Sequence, residues 1–317
     1  MELFTVENGV LRACPPAAGE ANDAVTADDW AIFGGEDEKA ARADVELVIP
    51  EGVVEIAPDA FAKRGELRAV RLPTTLRRIG ARAFFACGGL EQVTGGAGVT
   101  HLDEAAFADC KNLTLSELPR ALVVLGPYAL AGTALREAVL PAGLTHVGAC
   151  AFAHCSELRV LALPASVREL GEGAFMDCGA LRHLHLPEGL TAVPKGLCAS
   201  CTALSELAFP DGVTAIGERA FAHCTALTAL TIPAHVRHVG AEAFAMCEGL
   251  ERVTVCEGVE VLGDKAFHCC RGLREISLPD SIRALGRFLF MRCPRDLTVR
   301  APEGSYAAAT VKDMKWI

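Results

Sequence analysis

Aromatic residues are scarce in this chain: two Trp and two Tyr stand among 317 residues, and aromatics of all kinds make up 6%. Half the residues are nevertheless apolar, so a core here is filled by Leu, Val and Ala rather than by large rings. No uninterrupted apolar run reaches the roughly 18 residues that mark a membrane-spanning helix, and nothing reads as a membrane span. Lys and Arg number 30 against 40 Asp and Glu, a formal net charge of −10, with no basic stripe. Affinity for phosphate backbones comes largely from basic neutralisation, so nucleic acid is not expected as a partner. The sequence motifs GxSxG, GxxxxGK[ST], HExxH and GxGxxG are all missing. Those motifs place a nucleophile, a phosphate, a zinc or a dinucleotide, so the reading is of a non-enzyme without a cofactor. The N-terminus, MELFTVENGVLRAC, lacks a basic segment followed by an apolar one. As it stands the chain reads as cytoplasmic.

What the sequence does have is a period. Pro50, Pro73, Gly96, Pro119, Pro141, Pro164, Pro187, Pro210, Pro233, Cys256, Pro279 and Pro302 are spaced by 23 residues, with one step of 22. Eleven residues after each comes Phe61, Phe84, Phe107, Leu130, Phe152, Phe175, Cys198, Phe221, Phe244, Phe267 or Phe290. One unit reads LxxVxLPxxVxxIGxxAFxxCxx. A period of 20 to 29 with leucines so spaced is the mark of a leucine-rich repeat, each unit one turn of a solenoid. A single coil has one apolar side and nothing to bury it against, whereas stacked coils join those sides into one core. Hence 317 residues form one solenoid rather than two globular domains: right-handed, about eleven coils, and about 50 Å long at the strand spacing of about 4.8 Å.

Within a coil, LxxVxL alternates as a short strand with Val and the last Leu inward, and the row of such strands makes a parallel sheet on the concave face. The Pro ends the strand, having no amide hydrogen for the ladder. VxxIG then crosses the opposite side as a second extended piece, Gly turns the chain, and xxAFxxC reads as a short helical turn burying Phe.

The combination of AFxxC with IPxxVxxIG-type segments resembles the BspA-like bacterial leucine-rich repeats, a family that includes a Treponema repeat protein, and the resemblance covers nearly the whole chain. It implies a cap at each end: FTVENGVL at residues 4–11 resembles the family's entry cap, and APEGSYAAATVKDMKWI at 301–317 its closing helix and strand. The expected divisions are 1–43, an N-terminal cap with an irregular acidic insertion; 44–295, the repeats; and 296–317, the C-terminal cap. The resemblance also implies display at the cell surface for many members, and a leader removed beforehand would leave the same N-terminus. Two coils depart from the pattern, one at residues 134–136 after a one-residue deletion, the other where Gly95-Gly96-Ala97-Gly98 replaces the Leu-Pro junction.

Residues 1–42 hold nine acids against three bases, a net of −6 that accounts for most of the chain's charge. Thr26, Ala27, Asp28 and Asp29 suit a helix start, and Trp30 is placed to cover the first coil; a partner-docking loop is the alternative. Of 14 Cys, nine form one column three residues after the Phe: Cys87, Cys110, Cys155, Cys178, Cys201, Cys224, Cys247, Cys270 and Cys293. A small side chain there suits a tight turn and a backbone hydrogen bond, so buried, reduced thiols are expected. Parallel Cβ vectors in stacked coils oppose a disulfide ladder, and Cys198 with Cys201 mimics CxxC only because two columns meet. His101, His146 and His238 read as surface fillers. His183 and His185 project from one strand face, but no third ligand is placed beside them and no metal is expected.

The outward row of the main sheet is the surface left for function, and its candidate binding residues are Arg68, Arg71, Arg136, Glu137, Arg159, Arg182, His183, His185, Arg252 and Arg274. Arg136, Arg159 and Arg182 share a column in successive coils about 5 Å apart, with Glu137 and Glu117 as the expected partners. Guanidinium forks suit a protein or peptide rich in carboxylates, or an acidic glycan. The row lacks Trp, Tyr and Phe, the commonest interface anchors, and a merely solvated face is the other reading. The functional expectation is a non-catalytic interaction scaffold that binds through the concave sheet; the alternative is a cell-surface adhesin or host-interaction protein of the BspA type.

Overall fold

The computed structural model describes residues 4–13, 45–115 and 117–313. Its coils stack through three sets of backbone hydrogen bonds that run from each coil to the next. The LxxVxL segments supply the first set, as parallel strands in three short sheets. Val45–Val48, Leu67–Leu72 and Gln92–Gly95 form one; Glu137–Val139, Val160–Ala162 and His183–His185 the second; Ala229–Ile232, Arg252–Val255, Glu275–Ser277 and Thr298–Arg300 the third. The VxxIG segments supply the second set as two-residue parallel strands, from Glu55–Ile56 through Glu169–Leu170 and again from Ala192–Val193 through Ala284–Leu285.

Glycine follows the inward Ile, Leu or Val in eight of the eleven strands of that second row, Ala57, Asp103 and Pro194 being the exceptions, and at the glycines the neighbouring coil leaves little room. A Cβ on Gly80 would lie 2.6 Å from the Ile56 carbonyl oxygen, and one on Gly240 2.7 Å from the Glu218 amide nitrogen. The residue is Gly because the neighbouring coil's backbone passes through the space a side chain would need.

The third set lies in xxAFxxC. The chain turns there as the sequence suggests, but in consecutive hydrogen-bonded turns rather than a regular helix. Two residues per coil take left-handed φ, for example Asp59 and Lys63 (57° and 61°), Arg82 and Ala86 (57° and 54°), Glu242 and Met246 (55° and 59°). With these inversions every second amide points along the solenoid. Asp59, Phe61 and Lys63 donate to the carbonyls of Ala81, Ala83 and Phe85 in the next coil at 2.9, 2.7 and 2.6 Å, while Ala60, Ala62 and Arg64 donate within their own coil. A left-handed non-glycine residue costs about 1–2 kcal/mol, which the inter-coil bonds and the packing beneath them offset.

The core is a set of like-on-like columns. Phe61, Phe84 and Phe107 stack with centroids 5.2 and 5.0 Å apart; Phe152 and Phe175 at 5.7 Å; Phe221, Phe244, Phe267 and Phe290 at 5.6, 5.7 and 6.3 Å. Leu130 and Cys198 fill the two gaps and are fully buried. The Cys column has its expected role: each thiol donates to the carbonyl of the Phe-column residue of the preceding coil, Cys87 to Phe61, Cys178 to Phe152 and Cys201 to Phe175, all at 3.1 Å. Thr133, in the coil with the deletion, donates instead to its own coil's Leu130 at 2.8 Å. All thirteen Cys among the described residues are free.

At the front, the hairpin of Phe4–Glu7 and Val10–Ala13 turns on Asn8 and Gly9, both at positive φ, and its second strand pairs with Glu55–Ile56. At the back the helix Tyr306–Asp313 is capped by Ser305, whose Oγ accepts from the Ala308 amide at 3.1 Å. The helix start and the Trp30 cover read from the acidic insertion lie outside the described residues, as does Cys14.

The long-strand sheet lapses twice, at residues 113–118, where only Glu117 bridges to Val139, and at residues 204–209. The first lapse adjoins the Gly-rich junction. In the second, Phe209 stands where most other coils have Leu or Ile, and its ring meets Phe221 edge-on at 5.9 Å, in the coil stacked on Cys198. The small Cys198 and the large Phe209 are thus coupled departures. Cys198→Phe alone is expected to overpack and cost about 1–3 kcal/mol, and adding Phe209→Leu to recover at least half of that in chemical denaturation; an additive double mutant would contradict the coupling.

Burial pushes six of the column thiols upward from 9.0, Cys155 to about 11 and Cys247 to about 12, with Cys110, Cys178, Cys224 and Cys270 raised by the same cause, whereas a hydrogen bond with Cys270 lowers Cys293 at the less buried end of the column. A folded-state pKa above the unfolded value gives stability that is full below the unfolded value and lost as pH rises through the folded one. The melting temperature is therefore expected to decline from about pH 9 towards pH 12. Cys155→Ala with Cys247→Ala should flatten that decline in a circular-dichroism pH series, and an unaltered slope would contradict thiol burial.

Candidate functional site

The middle sheet of the long-strand face carries most of the expected residues. In each of its strands the central residue, Ala138, Leu161 or Leu184, is buried while its neighbours face out. The register sets Glu137, Val160 and His183 in one outward row and Val139, Ala162 and His185 in another. Arg136, Arg159 and Arg182 precede the strands, and their backbones bond in series: the Arg159 amide donates to the Arg136 carbonyl at 2.8 Å, and the Arg182 amide to the Arg159 carbonyl at 3.0 Å. The three guanidinium side chains leave the backbone one coil apart.

Their partners differ from the expectation. Arg136 Nε donates to Glu157 Oε2 at 2.8 Å rather than to Glu137 or Glu117. Glu157 sits on the loop just before the next strand, whereas Glu117 lies 3.9 Å from Arg120 in its own coil. Arg159 and Arg182 are exposed, and neither has a carboxylate within ion-pair distance among the described residues. His183 Nδ1 stands 3.7 Å from Glu206 Oε2, and His185 is exposed. Among the described residues no three His, Cys, Asp or Glu side chains are grouped to hold a metal ion.

The remaining candidates are not brought to this cluster. Arg68 and Arg71 lie on Leu67–Leu72 beyond the first lapse, Arg71 against Glu46 at 3.4 Å and Arg68 Nη1 donating to the Gly65 carbonyl at 3.4 Å. Arg252 and Arg274 lie beyond the second lapse, where Arg252 is in register with Glu275, itself paired with Arg300 at 2.9 Å. Two residues at the cluster were not singled out by sequence: Val139 and Val160, 66% and 46% exposed. Strand alternation was signal enough to place them outward between the charges.

Elsewhere many charges are neutralised from coil to coil. On the turn side Glu242 accepts from Arg219 at 2.7 Å and meets Lys265 at 3.5 Å, and the Arg219 hydrogen bond holds the Glu242 carboxyl below its usual range. The Arg287 backbone amide, at 2.8 Å, lowers Asp264 likewise. Against these pairs, Arg159 and Arg182 have no ion pair among the described residues, and the same holds for the exposed Arg252 and Arg274 of the third sheet; the middle sheet differs in setting its two beside Arg136 in one backbone series.

The family profile described as the BspA type leucine rich repeat region matches residues 44–159, 123–251 and 168–298. The chain belongs to the BspA-type leucine-rich repeat family. Solved structures agree on a leucine-rich repeat fold. A leucine-rich repeat protein from Bacteroides ovatus, 21% identical, superposes with a TM-score of 0.63 over 96% of this chain and 99% of that one. The pneumococcal vaccine antigen PcpA gives 0.53 at 18% identity, over 81% and 79% of the two chains. A leucine-rich repeat protein from Eubacterium ventriosum gives 0.50 at 18% identity, over 81% and 72%. No curated protein matches the sequence at a significant level. No helix among the described residues is long and apolar enough to cross a membrane.

One pair of this BspA-type solenoid sets the length of its bare Arg row. Glu157→Gln is expected to release Arg136 and extend the row from two guanidinium groups to three. An exposed pair contributes only about 0–1 kcal/mol, so thermal unfolding should hardly move, while retention on an acidic-peptide column should lengthen at low salt; a large loss of stability would show that Glu157 supports the coil instead.

Proposed function

We propose that this protein is a non-catalytic scaffold that binds a carboxylate-rich protein segment on the middle sheet of its long-strand face. The observation that carries the reading is the exposed, unneutralised Arg159 and Arg182, one coil apart, in a molecule that pairs many of its other charges between coils. Nothing in the column requires Arg, since other coils have Thr114, Ser205 or Thr228 there. Two forks in series present paired donors to successive carboxylates, and the Val139 and Val160 methyls beside them supply apolar contact that the charges alone lack. Solenoids bind macromolecules on such extended faces.

A second reading, a surface adhesin of the BspA type, uses the same face outside the cell and draws its support from the family. Fractionation of the source cells, with antibody access to intact cells, separates the two: surface labelling favours the adhesin, and retention inside favours the scaffold.

Binding is tested with a fluorescent hexaglutamate peptide and, in parallel, with polygalacturonate. Arg159→Glu with Arg182→Glu is expected to lower peptide affinity at least tenfold and leave unfolding within about 1 kcal/mol, as for exposed charges, and added salt should weaken the wild type. Unchanged peptide affinity in the double mutant would overturn the proposal, and binding of polygalacturonate alone would replace the protein segment by a glycan.

A further inference from the structure

The residue before each junction Pro is a core position. It holds Ile49, Leu72, Leu118, Leu140, Leu163, Leu186, Phe209, Ile232, Val255 and Leu278, all buried, but Gly95 in one coil. The substitution is enforced locally: Gly95 has φ +80°, and a Cβ on it would lie 2.2 Å from the Leu72 carbonyl oxygen. One side chain is therefore missing from the middle of a core column, and the structure holds a cavity of about 190 Å³ there. Leu72, Val93, Leu102, Phe107, Leu115 and Leu118 are among its walls.

The cavity opens where the long-strand sheet parts. The Thr114 amide donates to the Glu91 carbonyl at 3.1 Å and the Ala121 amide to the Ala97 carbonyl at 3.3 Å, bracketing the opening. Glu117 and Arg120, 3.9 Å apart and both exposed, form its rim. The side chains of the interior are aliphatic and aromatic, backbone polar groups supply a smaller part of its surface, and among the described residues the charged pair at the mouth is neutral as a unit.

We propose that this cavity is a binding site for a small uncharged apolar ligand, one aromatic ring or a branched chain of about six to eight carbons. An enclosed apolar cavity of about 150 Å³ lined by Leu, Ile and Phe takes up benzene; this pocket is of similar size and lining but open on one side. The Leu, Ile and Phe side chains that line it lack packing partners on the pocket side, and an apolar ligand would supply them while displacing water that few polar groups hold. A ligand with a polar tail would set that tail at the rim, between the Glu117 carboxylate and the Arg120 guanidinium. The site is independent of the Arg159 and Arg182 row.

Toluene, p-cresol and benzoate are titrated into the full chain, with thermal unfolding and methyl NMR on Val and Leu as readouts. Toluene and p-cresol should raise the melting temperature by about 2 °C or more at saturation, as any ligand of the folded state does, and shift methyl signals of Val93, Leu102, Leu115 and Leu118. Benzoate should do so at least tenfold less effectively. Val93→Phe, which fills the space from its own wall, should abolish the thermal response. Should that variant fail to fold, the wild-type methyl map still decides. No methyl shifts, shifts spread evenly over all coils, or an equal response to benzoate would overturn the proposal.

Discussion

Three segments of each coil send their amides along the solenoid, and the fold depends on that direction. An amide that donates to a neighbouring coil, forward from the Phe turn and backward from the VxxIG segment, fixes that coil's position to within a hydrogen bond, and three such sets fix its orientation. Side chains at equivalent positions then meet their own copies. Phe meets Phe at 5.0–6.3 Å, and each column Cys reaches a carbonyl one coil back at 3.1–3.3 Å. The same register favours Gly after the inward residue of the second row, where at most coils the neighbouring backbone passes too close for a Cβ, and it lets opposite charges pair at a separation of 23 residues, as Arg219 and Glu242 do.

A structure held this way separates stability from recognition. Inward columns are constrained by their copies above and below, whereas the outward positions of the long strands touch little beyond solvent. Substitution there changes what the surface offers without moving the backbone. The exposed Val139 and Val160 and the bare Arg159 and Arg182 occupy such positions, and the buried Ala138, Leu161 and Leu184 between them hold the strands in place.

The columns were legible because periodic repetition averages over single substitutions: the Phe, Cys and Leu positions, the two strand rows and the reduced thiols follow from spacing alone. The left-handed residues were hidden, since side chains as different as Asp59, Lys63, Arg82 and Met246 adopt the same φ; the conformation is imposed by inter-coil bonding, not by local propensity. The glycine after Ile looked like a turn and proved to be a clearance. Arg136 chose Glu157 over Glu137 because a strand directs neighbouring residues to different sides, while a loop residue of the next coil can reach across. Of the ten candidate face residues the structure gathers six. The other four lie beyond lapses in the sheet, one beside the Gly-rich junction and one at Phe209, and side-chain type alone did not signal either break.

The one-residue deletion near Ala134 leaves the columns on both sides intact, with Leu130 and Phe152 each in place and fully buried. Length is therefore absorbed between the Cys turn and the next strand, and register is set anew in every coil. A gene built this way can gain or lose a whole coil by unequal crossing-over between its own repeats and still encode a chain that closes. Each event would splice a row of outward residues into the face or cut one from it, so the order of charges along this surface is open to change by recombination as well as by point mutation.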